Sequence, residues 1–239
     1  IVMTNMNTGS SGDPRGWFLQ TAGHLVLRNL ELDGTGYNIY QGIRAYGSGE
    51  LDNCALSNMV HPGYAGVALA AFGTGNWDIT GCTFDNIGRV GFLAFGSGLT
   101  SSSFVGNTYT GKGPGDWIDY ACDISNGAVV NVEGNTITGN RSFATLIVSY
   151  YFVKLNESKP TYDPVPEKIY IHNNTMSQNG YDADGDAALI SLVLGGPQAN
   201  FYDSSGVGTN EGLLVEFPDG LTESQAICIL DNSPEGSIG

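Results

Sequence analysis

The chain has 239 residues, enough to bury a substantial core in one domain, and 24 Asp and Glu against 9 Lys and Arg give it a net charge of −15. That charge repels phosphate backbones and anionic lipid surfaces, which excludes nucleic acid as a partner, and no stretch approaches the roughly 18 consecutive apolar residues of a membrane span. With 35 glycines and only 14% charged residues, the composition fits many short strands joined by tight turns better than helices with charged faces.

The chain opens at Ile1 with neither an initiator Met nor a signal peptide, so it is expected to be processed or cut from something longer. Residues 1–23 read as an N-terminal arm: Ile1-Val2-Met3-Thr4 can form a strand, and a polar stretch rich in Gly and Ser follows. Such an arm either adds as an assembly strand to a neighbouring subunit or folds back on its own first rung.

A repeat governs residues 24–239, which read as one domain. Asn29-Leu30-Glu31-Leu32, Asn53-Cys54-Ala55-Leu56, Gly81-Cys82-Thr83-Phe84, Gly106-Asn107-Thr108-Tyr109, Gly134-Asn135-Thr136-Ile137 and Asn173-Asn174-Thr175-Met176 share one four-residue signature, continued by Asp231-Asn232. Its second position recurs at intervals of 24, 28, 25, 28, 39 and 58 residues. An apolar residue usually lies three positions before that slot (Leu27, Ile79, Phe104, Val132, Ile171, Ile229) and another two after it. Period-two strands on either side of a bend, repeated in this way, describe a coil whose equivalent strands pair in parallel about 4.8 Å apart. Interior Asn107, Asn135, Asn174 and Asn232 would then bond to one another as a structural ladder. Cys54 and Cys82 fall in the same slot on consecutive rungs, within reach of a disulfide, and Cys122 with Cys228 could form a second pair; stacked thiols fit equally well. The even count of 4 cysteines leans toward an oxidising, extracellular or cell-surface setting.

On these residues, and above all on Gly134-Asn135-Thr136-Ile137 and Ile169-Tyr170-Ile171-His172-Asn173-Asn174-Thr175, the chain resembles the right-handed parallel β-helix superfamily, the pectate-lyase-like fold, over residues 24–233. The resemblance implies an all-β, single-stranded right-handed parallel β-helix of about 7–8 rungs with external loops. It does not choose a function, because that fold hosts lyases, hydrolases, epimerases, adhesins and inert spacers. Polysaccharide lyases of the superfamily use an acidic Ca²⁺ cluster beside an Arg or Lys that removes a proton, and its hydrolases use several close aspartates with a His and a basic residue. Neither set assembles here from the scattered Arg15, Arg28, Arg44, Arg89 and Arg141 or from His24, His61 and His172.

Further along the chain, Val67–Phe72, Gly91–Phe95, Thr145–Val148 and Leu189–Leu194 are apolar at both parities, whereas Trp77–Thr80, Val130–Glu133 and Tyr170–Asn173 alternate. Stacked, the former make an apolar outer wall larger than monomers usually expose. Its cover is expected to be another subunit, with the chain's own 197–225 excursion covering part. Asp116-Trp117-Ile118-Asp119-Tyr120 with Asp123 is the best catalytic candidate, since carboxylates beside rings suit sugar chemistry; Asp119 would fall near Arg89 on an adjacent rung, while the plainer alternative is solvated turn acids. Sequons at Asn140, Asn156 and Asn173 mark glycosylation candidates, Asn156 foremost because it lies in the Pro-rich external loop 154–168. Asp182, Asp184 and Asp186 around Gly185 resemble the opening of a calcium loop, although Val193 stands where an EF-hand needs its bidentate acid. The interval from Asn174 to Asn232 is expected to hold an extra rung, with strands at 188–194 and 213–217.

The expectation is an extracellular structural β-helix that self-assembles as a homo-oligomer, end to end as a filament or as a surface-layer subunit. The alternatives are a carbohydrate-active enzyme, lyase or hydrolase, using Asp116, Asp119 and Arg89, and a module binding a polysaccharide through Trp117, Tyr150 or Tyr151.

Overall fold

The computed structural model of the chain describes residues 17–62, 66–112, 119–148, 168–180, 201–204 and 227–233. Three strands make each coil. The first holds β1 (Phe18–Gln20), β2 (His24–Arg28) and β3 (Glu31–Asp33), the second β4 (Gln41–Ala45), β5 (Ser48–Asp52) and β6 (Ala55–Met59). The third holds β7 (Val67–Phe72), β8 (Trp77–Thr80) and β9 (Thr83–Ile87), the fourth β10 (Val90–Phe95), β11 (Ser102–Val105) and β12 (Thr108–Gly111). The fifth is β13 (Tyr120–Ser125), β14 (Val130–Glu133) and β15 (Thr136–Thr138); then come β16 (Thr145–Val148), β17 (Tyr170–His172), β18 (Thr175–Ser177), β19 (Phe201–Ser204) and β20 (Cys228–Leu230). Equivalent strands pair in parallel into three sheets: β1-β4-β7-β10-β13-β16-β19, β2-β5-β8-β11-β14-β17-β20 and β3-β6-β9-β12-β15-β18. The chain is an all-β parallel solenoid, with no helix among the described residues.

About five coils run uninterrupted and two more are described in part, so the expected 7–8 loses only the extra rung placed between Asn174 and Asn232. The reason lies in the long intervals. β17 pairs directly with β20, and the Asn174 backbone N–H donates to Asn232 Oδ1 at 3.0 Å, so the 58 residues from Asn174 to Asn232 make one coil rather than two. The segments expected as an extra rung, 188–194 and 213–217, lie outside the described residues. At the other end, β1 pairs with β4 inside the stretch that read as an arm, while Ile1, Val2, Met3 and Thr4 are outside the described residues.

The signature repeats because the corner between the second and third sheets has one backbone solution. Its first position is Asn29, Asn53, Gly81, Gly106, Gly134, Asn173 and Asp231, all left-handed with φ between 51° and 64°. Gly, Asn and Asp tolerate that region best, which is why those three types alternate there. The following residue turns inward. The Asn107, Asn135 and Asn174 backbone N–H groups each donate to the side-chain oxygen of the next rung, and Asn107 Nδ2, Asn135 Nδ2, Asn174 Nδ2 and Asn232 Nδ2 donate to the carbonyls of Ile79, Phe104, Val132 and Ile171. Each of those carbonyls belongs to the apolar residue three positions before a slot, so ladder and core column lock to one another. A second, shorter ladder joins Asn140 and Asn179, with Asn140 Nδ2 donating to Asn179 Oδ1 at 2.9 Å.

Inside, Leu27, Leu51, Ile79, Phe104, Val132 and Ile171 stack on the second sheet and Leu32, Leu56, Phe84, Tyr109, Ile137 and Met176 on the third, all of them buried. The first sheet adds Leu69, Phe92 and Cys122 in register. Its outward residues form a separate apolar cluster: Val67, Ala70, Val90, Leu93, Tyr120, Phe143, Leu146 and Val148 are at most 8% exposed. This is the expected wall, and it is buried within the single chain. The expectation that another subunit must cover it is corrected accordingly for these strands; Leu189–Leu194 lies outside the described residues.

Candidate functional site

Strand β13 and the corner before it collect the polar groups that could carry chemistry. Asp119 stands at the corner with its side chain buried. Its Oδ1 accepts the Ser142 N–H at 3.0 Å and its Oδ2 the Arg141 N–H at 3.1 Å, both from the next coil, and the Asp119 N–H returns a bond to Ser142 Oγ at 3.4 Å. Burial holds the carboxyl above its ordinary pKa, opposed by those two N–H donors. Asp119 is therefore a brace between successive corners, neither a solvated turn acid nor a group open to substrate.

Four residues on, the alternation of β13 sends Cys122 and Ile124 into the core and Asp123 and Ser125 outward. Asp123 lies in register with Leu93 and Leu146, so its carboxyl is set in the apolar wall and is 1% exposed. Ser125 Oγ donates to Asp123 Oδ1 and Tyr120 OH to Oδ2 at 3.3 Å, while Arg89 Nη2 donates to Tyr120 OH at 3.4 Å. Burial pushes the Asp123 pKa up to about 6, against the pull of Ser125, the Arg89 charge and Tyr120. Asp119 and Arg89 precede the paired Tyr120 and Val90 on adjacent coils, and the Arg89 charge also acts on Asp123. Asp116 lies outside the described residues, as do Trp117, Tyr150 and Tyr151. The group that sequence reasoning undervalued is Asp123; its signal was a lone acid at an outward parity in an otherwise apolar strand.

At the rim of the same sheet Tyr46, Phe72 and Phe95 form an aromatic column with ring centroids 6.0 and 5.6 Å apart, and the Arg44 guanidinium lies 4.6 Å from the Phe72 centroid. In the second sheet Arg28 Nη2 meets Glu50 at 2.6 Å, His24 Nε2 lies 3.3 Å from Glu50 and His172 Nε2 3.5 Å from Glu133. The third sheet turns out a different surface. Thr83, Thr108, Thr136 and Thr175 are exposed and in register, with Ser233 bridging to Thr175. Beside them runs a second column of Asp85, Thr110, Thr138 and Ser177.

Of the two readings open for Cys54 and Cys82, a bridge or stacked thiols, the structure has the second. Cys54, Cys82 and Cys122 are free, buried thiols. Cys54 and Cys82 do share the ladder slot, but as ladder members: the Cys54 N–H donates to Cys82 Sγ at 3.4 Å, and the Cys82 N–H donates to Asn107 Oδ1 at 2.8 Å. Burial pushes the Cys82 thiol up to about 11, so it is inert near neutrality. Cys122 lies in the first sheet and Cys228 in the second, so the two occupy different walls of the coil. Among the sequons, Asn140 is fully buried in the second ladder and cannot carry a glycan there. Asn173 is exposed at a left-handed corner, its Nδ2 2.9 Å from His172 Nδ1, and Asn156 is outside the described residues. Asp182, Asp184 and Asp186 are also outside them; among the described residues no cluster of His, Cys, Asp and Glu could hold a metal. No helix among the described residues is long and apolar enough to cross a membrane.

Comparison with curated proteins and with solved structures gives no match. The family model of the right-handed β-helix region matches residues 3–159, well over half of the chain, and the chain belongs to that family.

Proposed function

We propose that this right-handed β-helix is a non-catalytic structural element that works outside the cell or at its surface. The observation behind this is the fate of the best catalytic candidate: both carboxylate oxygens of Asp119 accept backbone N–H groups of the neighbouring corner. A catalytic acid or base must reach its substrate's proton, and a buried brace does not. The three free thiols lend no weight to an oxidising compartment; the acidic composition, hostile to intracellular polyanions, and the hydroxyl-rich third sheet support the extracellular placement. With the wall covered, self-association is end to end, at the first coil, where the three sheets finish on β1, β2 and β3 among the described residues. Unpaired strand edges recruit further strands.

A second reading has one observation in its favour: Asp123, its pKa pushed up to about 6 and with Tyr120, Ser125 and Arg89 about it, has the chemistry of an acid or base on a sugar, although at 1% exposure it meets the same objection as Asp119. One experiment separates them. Acidic and neutral polysaccharides are incubated with the full chain and read by absorbance of unsaturated products and by reducing ends. No turnover is expected; turnover that disappears in Asp123→Asn but survives in Thr80→Ala overturns the structural assignment. Sedimentation over a concentration series tests end-to-end association, and a monomer at every concentration rejects it.

A further inference from the structure

We propose that the outer face of the third sheet is an ice-binding surface. Thr83, Thr108, Thr136, Thr175 and Ser233 place five exposed hydroxyls in one column, and Thr110, Thr138 and Ser177 place three more beside it. Strand pairing fixes the repeat along the column at about 4.8 Å, and two residues of rise set the columns about 6.6 Å apart. Threonine is stiff at χ1, and the strands beneath are pinned in register by Phe84, Tyr109, Ile137 and Met176, which are fully buried. The hydroxyls therefore form a two-dimensional lattice held by the core, and the six threonines among them each add a methyl.

Three features select the occupant. The lattice repeats in both directions over three strands, β12, β15 and β18, and its first column continues onto β9, where Asp85 takes the second position. A single small ligand uses no such repetition, whereas a crystal face uses all of it. Next, the rows from Thr108-Tyr109-Thr110 to Thr175-Met176-Ser177 turn out no charge, in a chain whose net charge is −15; an ion or an ionic mineral would find nothing to pair with. Finally, no outward position of β9, β12, β15 or β18 is aromatic, and a polysaccharide chain is gripped by stacking its sugar rings on aromatic side chains. The remaining partner with matching chemistry is water in an ordered lattice: hydroxyls bond to it, and methyls seat between its oxygens. The spacings of the array are close to the oxygen repeats on the prism faces of ice. This inference does not depend on whether the protein is structural or catalytic.

The test uses the full chain, with single ice crystals grown slightly below melting under a microscope and recrystallisation followed in frozen sucrose. Faceted crystals, a gap between melting and growth temperatures and arrested recrystallisation are expected. Thr136→Tyr, which puts a bulky ring in the middle of the lattice at an exposed strand position, is expected to lose all three while keeping its circular dichroism and melting temperature. Thr80→Tyr, at an exposed position of the second sheet, is expected to keep them. Should Thr136→Tyr fold poorly, Thr108→Val removes a hydroxyl without changing shape and is expected to weaken the same readouts. Round, freely growing crystals with the unaltered chain overturn the proposal, as does full activity in a folded Thr136→Tyr. Binding to crystalline cellulose or chitin with no effect on ice overturns it too, and assigns the face to a polysaccharide.

Discussion

Replacing Asn135 by Ala tests whether the ladder or the apolar core carries the stack. Asn135 Nδ2 donates to Phe104 O and to Asn174 Oδ1, both at 2.8 Å, and its Oδ1 accepts Asn107 N at 2.8 Å and Asn107 Nδ2 at 3.1 Å. Truncation leaves the Phe104 carbonyl and the Asn107 N–H buried without those partners, at about 1–3 kcal/mol each. With the small void added, Asn135→Ala should cost about 3–5 kcal/mol, a large share of the roughly 5–15 kcal/mol that holds a domain together. The same slot three rungs earlier offers the control. Cys54 Sγ reaches Leu27 O and Asp52 O only at 3.4 Å, and a thiol is a weak donor, so Cys54→Ala should cost only about 1–2 kcal/mol, most of it from lost volume. Urea unfolding followed by tryptophan fluorescence measures both, since Trp77 is fully buried in the third coil; the slope should stay constant and the midpoint fall. A shift for Asn135→Ala no larger than that for Cys54→Ala would refute the assignment of the ladder as the stronger element.

Other perturbations probe the corner, the wall and the core. The Asp123 pKa rises from 3.8 to about 6 on folding, so its stabilising proton is fully present below pH 3.8 and is lost as pH climbs through about 6. Stability relative to Asp123→Asn should therefore fall by up to about 3 kcal/mol between pH 4 and 7, and a difference flat with pH would remove the basis for that shift. At Gly106, φ is 64° and an added Cβ meets nothing within 4 Å; Gly106→Ala should cost about 1–2 kcal/mol from backbone strain alone, with Gly106→Asn milder, as thermal melting will show. Tyr109 OH is buried with no hydrogen-bond partner, so Tyr109→Phe should leave stability unchanged or raise it by about 1 kcal/mol; a loss in the same melting assay would reveal a bond at that oxygen. Asp119→Ala should destabilise by about 2–4 kcal/mol because two buried N–H groups lose their acceptor, and unfolding midpoints at neutral pH are the measure.

Much of the fold was legible because its constraint is local and repeated. The Asn or Gly before each ladder slot reports a left-handed corner, and the apolar residues three before and two after report the columns on either side of it; seven corners carrying one message overrule any irregular rung. The coil count was less legible, because spacing alone does not distinguish a 58-residue coil with long excursions from two coils, whereas the bond from Asn174 to Asn232 does. Asp119 and Asp123 show the same limit at the candidate site. Both are acids beside aromatic residues in one short stretch, but one stands at a corner where the next coil's N–H groups arrive and the other at an outward strand position. Only the register of β13 against β16 separates the brace from the acid in the wall.

The apolar wall carries the same lesson to function. A strand that is apolar at both parities states that both faces are buried, and it says nothing about what buries them. Burial of Leu93 and Leu146 within one chain withdraws the inference to a partner without changing a single strand assignment. On the third sheet the logic runs in reverse. Its outward residues are ordinary strand formers one at a time, and each threonine there is explained by β-propensity. What propensity leaves unexplained is the neutrality and register of the rows from β12 to β18, since aspartates already face outward on β3 and β9 of the same sheet. Acids are tolerated at those positions early in the stack and replaced by hydroxyls later in it, so the change follows the axis of the helix and not the needs of the strand. A requirement outside the strand, met by a neutral ordered surface, accounts for that gradient; folding alone does not.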